Sequence, residues 1–221
     1  MKKLLISMIA ALAITGSAAA QDTVLNNPDN RPYFGIRVAG EVTCPGEVSE
    51  DGIGVGIFKN GGGIEFGGIY NIPVVANFYV EPGLKLYYNT YSVKDKYLDF
   101  AGEDVNSCSV RKFGMHIPVM AGYHFDFTPE IKVHLFTGPE LEIGFSAKEK
   151  VSGRNLDFSG DLYSDEGGMK RVDVLWGIGA GVTYQKLYFG VSGSLGMCNM
   201  MDESDTKFHE NRVSFTLGYN F

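Results

Sequence analysis

The chain has 221 residues, a formal net charge of −7, 29 glycines and three cysteines. That length suits one β domain, and the acidic balance excludes nucleic acid as a partner, because phosphate binding needs a basic surface. Cys44, Cys108 and Cys198 are an odd set that leaves open which two, if any, pair, and the absence of CxxC or His/Cys ligand spacing argues against a metal centre.

Residues 1–20 read as an export signal. Lys2 and Lys3 precede an apolar stretch from Leu4 to Ile14, broken only by Ser7, and Ala18-Ala19-Ala20 supply the small residues ahead of a cleavage site. The run is too short for a spanning helix, and no cysteine follows to carry a lipid anchor. Removing Lys2 and Lys3 takes the charge from −7 to −9. Residues 21–32 are then a short lead-in and 33–221 the folded domain. No later segment offers the ~18 unbroken apolar residues of a membrane helix.

From residue 33 the organising pattern is period-two alternation, the mark of strands with two unlike faces. Phe34, Ile36, Val38 and Val42 alternate with Arg37 and Glu41. Ile64, Phe66, Tyr70 and Ile72 alternate with Glu65 and Asn71, and Phe78, Val80, Leu84, Leu86 and Tyr88 with Glu81, Lys85 and Asn89. Phe113 to Phe125 carries Lys112, Gly114, His116, Gly122 and His124 on its second face. Ile131 to Phe145 carries Lys132, His134, Glu140 and Glu142, and Val172 to Tyr184 carries Asp173 and a run of glycines. Leu187 to Leu195 and Val213 to Phe221 complete eight strands, the last with Arg212 on its polar face.

The connections alternate in length. Pro73 to Asn77, Asp126 to Glu130 and Gln185-Lys186 are short, whereas Thr43 to Gly62, Ser92 to Val110, Ser146 to Lys170 and Asn199 to Glu210 are long. Strands near ten residues with alternating tight turns and long loops predict an all-β fold, an eight-stranded antiparallel up-and-down barrel of the outer membrane, with turns in the periplasm and loops outside. The apolar-face residues nearest the short turns are Phe34, Tyr70, Phe78, Tyr123, Phe125, Tyr184, Tyr219 and Phe221, an aromatic row suited to a membrane–water boundary. A soluble barrel would leave its glycine-rich face in water, where glycine packs nothing. In a narrow lumen small residues have a use.

Several stretches resemble the PorT-type family of outer-membrane barrels from Bacteroidota. These are Tyr33-Phe34-Gly35-Ile36-Arg37-Val38-Ala39-Gly40, Phe78-Tyr79-Val80-Glu81-Pro82-Gly83-Leu84 and His116-Ile117-Pro118-Val119-Met120-Ala121-Gly122-Tyr123. Phe136-Thr137-Gly138-Pro139, Asp173 with Gly177-Ile178-Gly179-Ala180-Gly181, and the closing Leu217-Gly218-Tyr219-Asn220-Phe221 follow in order. The resemblance implies an eight-stranded barrel set in outer-membrane lipid. It also implies insertion by the outer-membrane assembly machinery, which would read the terminal aromatic Phe221. It implies little about activity, since fold does not settle function.

The predicted lumen face holds Arg37, Lys85, Lys112, Lys132 and Arg212 against Glu41, Glu65, Glu81, Glu140, Glu142 and Asp173, with His116 among them. Charges so nearly balanced in a narrow space are expected to pair and plug it, because an unpaired buried charge is costly. Setting Ile72 opposite Phe78 places Glu65 opposite Lys85, and setting Phe125 opposite Ile131 places His116 opposite Glu140. His116 with Glu140 lacks a nucleophile, and Gly177 to Gly181 sits inside a strand with no helix after it, so neither an enzyme nor a dinucleotide site is expected. The acidic loop groups Asp99, Glu103 and Asp104, Asp161, Asp165 and Glu166, and Asp202, Glu203 and Asp205 lack calcium-loop spacing. No catalytic residue, metal or cofactor is expected. The function expected is a structural or surface-interaction role through long external loops toward an unidentified extracellular partner. The alternative is a narrow channel or an accessory of transport across the outer membrane.

Overall fold

The computed structural model describes residues 31–50, 52–101, 105–154, 157–164, 167–202 and 205–221. The export signal and most of the lead-in lie outside these residues, as do Glu103, Asp104, Asp165, Glu166 and Glu203. The elements in chain order are β1 (Tyr33–Pro45), β2 (Val48–Glu50), β3 (Ile53–Val55), β4 (Gly61–Val75), β5 (Phe78–Ser92), α1 (Asp95–Ala101), β6 (Val105–Thr128) and β7 (Ile131–Gly153). There follow β8 (Asp157–Asp161), β9 (Val172–Tyr184), β10 (Leu187–Gly196), β11 (Thr206–Lys207) and β12 (Glu210–Asn220).

Eight of them close into one antiparallel ring, β1–β4–β5–β6–β7–β9–β10–β12, with β12 returning to β1. These are the eight strands the alternation predicts. Their outer face is apolar and exposed, with Phe66, Trp176, Phe189 and Phe215 each about half accessible, while Arg37, Glu65, Lys112, His116, Glu142 and Arg212 are buried inside. The interior of this fold is therefore its polar face.

The ring differs from the expectation at its ends. The predicted connections Pro73 to Asn77 and Asp126 to Glu130 shrink to the two-residue turns Ala76-Asn77 and Pro129-Glu130, because pairing continues through register shifts between Pro73 and Val75 and between Asp126 and Thr128. A bulge keeps the ladder but breaks the alternation that reveals a strand. Ala76 and Gln185 take the left-handed conformation that such tight reversals require, with φ of 49° and 54°. A third irregularity sits high on the β6–β7 pair, where Phe113 faces Ser146 but Gly114 faces Gly144. Phe145 is the extra residue. Beyond it β7 presents its other parity inward, and Ala147 becomes completely buried.

Beyond Ile143, where β9 stops pairing, β7 runs on to Gly153 and takes β8 as its neighbour. Much of the predicted loop from Ser146 to Lys170 is thus strand, as is the end of the one from Ser92 to Val110. The four long connections are tied to one another. β2 pairs with β3 and with β11, joining the first to the fourth. Phe58 bridges Val93 and Met169 bridges Met201, joining first to second and third to fourth. Ala147, Tyr163, Met169, Met200 and Phe208 form a small apolar core there, packed by Val48, Phe58, Leu162 and Met201. Phe58 sets its ring 5.2 Å from Tyr91 and 5.5 Å from Phe208, so this core rests on the upper end of the lumen.

The cap should behave as one unit. Truncating a core aromatic typically costs ~3–5 kcal/mol, more than a satellite core of this size can lose. Phe208→Ala is expected to open Lys170 and Lys207 to trypsin while the ring strands stay resistant. Equal resistance of variant and parent would show that the connections do not fold together.

Candidate functional site

The lumen is filled in layers, each supplied by inward positions of neighbouring strands. Directly under the cap, Lys112 binds Glu142 at 2.9 Å and also Glu210, and Tyr91 and Tyr87 each donate to one of those carboxylates at 2.6 Å. Beneath lies His116, fully buried, with Tyr87 stacked on it at 4.1 Å. Its Nδ1 is 2.6 Å from Glu65, and its Nε2 is 3.4 Å from Glu142. Arg212 is held between Glu140 and Glu41, its Nε 3.1 Å from Glu41, and its Nη1 reaches the same imidazole. Lys85 binds Glu65 at 2.9 Å.

Two predicted registers are corrected by two residues each. Ile72 faces Val80 and Glu65 faces Tyr87, yet Lys85 still reaches Glu65 along the diagonal. His116 faces Glu142 and Pro118 faces Glu140, so His116 touches Glu142 more closely than Glu140, which stands 3.9 Å from Nδ1. Both errors have one cause: the bulged turns pair further back along the strands than a count from the alternation suggests.

Four predicted members stand outside the network. Arg37 lies over the Tyr188 ring at 4.2 Å, its Nη2 buried without a hydrogen-bond partner. Glu81 accepts from Asn71 at 3.0 Å. Asp173, opposite Glu142, turns to the backbone amides of Val174 and Cys198 at 2.7 and 3.1 Å. Lys132 sits at the short-turn mouth, 3.7 Å from Asp126. Conversely, Glu210 and the inward tyrosines Tyr79, Tyr87, Tyr91 and Tyr188 belong to the lumen and are absent from the predicted set. The signal was present, because the three β5 tyrosines share the odd parity of Glu81, Lys85 and Asn89. Their bulk finds room across the strands. Tyr87 faces Gly114 and Tyr79 faces Gly122, and a methyl on Gly114 would come within 2.8 Å of the Tyr87 ring. The lumen glycines are seats for rings.

Glu41, Glu65 and His116 bring one donor atom each within 4.8 Å of one another. Arg212 and Lys85 already occupy those carboxylates, so an ion would have to displace two cations. The three cysteines are free. A cavity of about 40 Å³ lies in mid-lumen between Arg37, Lys85, Glu140 and Arg212, room for one or two waters. On the outer face, Phe34, Tyr70, Phe78, Phe125, Tyr184, Tyr219 and Phe221 are exposed near the short turns with Tyr123 half-buried beside them. The row is not wholly aromatic, since Ile131 and Leu187 pair with Tyr184 within it. Phe221 donates its amide to Phe34 at 2.9 Å and stacks on that ring at 6.0 Å, joining the last residue to the first strand.

A family model for the outer membrane protein beta-barrel domain matches residues 20–202. Among solved structures, the chain is similar to Ail, the attachment invasion locus protein of Yersinia pestis, at 13% identity over 87% of this chain and 100% of that one, with a TM-score of 0.43. It is similar to Neisserial surface protein A at 13% identity over 87% and 100%, with a TM-score of 0.45. It is also similar to OprG from Pseudomonas aeruginosa at 12% identity over 86% and 95%, with a TM-score of 0.45. No curated protein matches the sequence.

The network makes a ranked prediction for unfolding in detergent. Removing one partner of a buried pair costs ~3–5 kcal/mol because it strands the other charge. Lys112→Met strands two carboxylates and should cost more than Lys85→Ala, whose partner keeps His116. Glu65→Ala should be partly rescued by Lys85→Ala in the same chain, with a coupling of ~1–3 kcal/mol. Strict additivity of the Glu65 and Lys85 substitutions would mean that the 2.9 Å contact contributes nothing.

Proposed function

We propose that this chain, which belongs to the outer membrane protein beta-barrel domain family, is a closed barrel whose folded long-loop end meets a partner outside the cell. It is a protein of the outer membrane. In our reading the tight turns face the periplasm and the long connections face outward, the arrangement usual for such barrels. The apolar outer face then meets lipid, with the aromatic row near the periplasmic boundary. The stretches that resemble PorT-type barrels support a finer placement in that group.

The observation that carries this reading is the cap. Long connections that served only as covers for an open channel would have no need of a common core. Here all four are cross-linked, and three supply its apolar side chains, on top of a lumen already filled by paired charges. A pre-organised surface binds with less ordering cost than free loops do. Ile53, Phe158 and Met197 are exposed large apolar side chains on that end, the kind of group a partner covers. Transport has less support, because a path would have to breach the cap, two charged layers and the Tyr79–Tyr188 level.

Two measurements test the reading. In planar bilayers the purified protein should show no steady conductance above the protein-free control, and a stable open level would promote the channel. With Cys44, Cys108 and Cys198 replaced, Ser164→Cys should react with a membrane-impermeant maleimide on intact cells, since Ser164 is exposed on the third long connection. Labelling only after the outer membrane is broken would invert the orientation.

A further inference from the structure

At the short-turn end the ring does not close flush. Below Tyr79 and Tyr188, whose rings pack on His134 at 5.7 and 6.0 Å, the lumen widens into a cup of about 580 Å³ open to solvent. Its polar floor is built and buried: His124, His134 and Asn220 are each more than nine-tenths enclosed. His134 is fixed by Thr183 at 2.9 Å, and the Asn220 side-chain oxygen is buried with no partner. Turned over, that amide would present a donor instead.

The charge of the cup is opposite to that of the chain. Arg31, Lys132 and Lys186 stand among its lining residues and, among the described residues, no acidic side chain does, in a protein of net charge −7. Two carboxylates stand just outside the lining: Asp126, 3.0 Å from His124 and 3.7 Å from Lys132 and about half exposed, and Glu81, which accepts from Asn71 at 3.0 Å. Cationic groups at the lip of a walled, polar cavity strengthen hydrogen bonds to an anion beyond what they provide on an open surface.

We propose that this cup is a binding site for a small anionic group, a carboxylate or phosphate, held by Lys132 and Lys186 at the lip and by His134 and Asn220 at the floor. The packed rings above make it a dead end, so the ligand enters and leaves by one mouth and is bound, not conducted. The proposal holds whichever way the barrel faces.

The test uses the full chain refolded in neutral detergent, with folding of every variant checked by its heat-modifiable gel mobility. Titration calorimetry with inorganic phosphate and with succinate should show saturable binding, and choline should show none. Lys132→Gln and His134→Gln should each weaken the anion about tenfold, the effect of losing one charge-assisted contact. Asn220→Ala should weaken it less, and Lys59→Gln at the opposite end should leave it unchanged. No saturable heat with either anion would overturn the site, as would affinity unchanged from the parent in both Lys132→Gln and His134→Gln. An equal loss in Lys59→Gln would also overturn it, by showing a general charge effect. Nanodiscs separate the sources of the anion: competition by phosphatidylglycerol identifies a lipid phosphate, and unchanged phosphate affinity in its presence identifies a free solute.

Discussion

Closure of the sheet is the constraint from which the rest of this molecule follows. In a membrane no water is at hand for an unpaired amide or carbonyl, so a sheet can cross only if its first strand meets its last. Here β1 pairs with β12 along eleven residue pairs, from Gly35–Asn220 to Pro45–Glu210. An eight-stranded ring of this kind encloses a space about as wide as side chains can fill. Whatever faces inward must therefore pack, and whatever is charged must find its counter-charge there.

The chain meets the packing demand with pairs of unequal size. Tyr79 and Tyr87 cross to Gly122 and Gly114, and Gly181 and Gly190 lie against Tyr188. Each ring takes the volume its neighbour gives up, which is how a lumen with many glycines comes to be dense. The charge demand is met by Lys112, Arg212 and Lys85 threaded through five carboxylates, with His116 between three of them. Such networks contribute little net stability compared with an apolar filling, but each member is costly to remove alone. In a barrel the outer face is already committed to lipid, so a polar interior keeps the two faces distinguishable and fixes the strand register.

Away from the bilayer, a different rule governs each end. At the long-loop end water is available again, and apolar burial can drive folding. The connections use it, placing Phe208, Met200 and Ala147 in a core that closes the lumen from above. At the other end two-residue turns join the strands, and the cup lined by Lys132, Lys186 and His134 lies between them. One barrel thereby has a folded, partly apolar surface at one end and a basic recess at the other.

The sequence by itself determined the ring. Period-two alternation located all eight strands, sorted Arg37, Glu65, Lys112, His116, Glu142 and Arg212 to the interior, and separated long connections from short, because pleat geometry ties residue parity to face. It did not determine register, since the bulges near Val74, Phe127 and Phe145 add residues that alternation cannot count. The inward tyrosines of β5 are absent from the predicted lumen set although their parity places them there, because an aromatic side chain suits either face of a barrel strand. Beyond the pair of Glu65 with Lys85, which alternation brought near each other, which carboxylate serves which cation was decided in three dimensions. Glu210 reaches Lys112 from a strand 98 residues away, and Asp173 faces Glu142 yet bonds to backbone amides. The cap was also beyond the sequence, because its side chains come from segments with no shared periodicity. Such a core exists only once the closed ring has brought those segments to one rim.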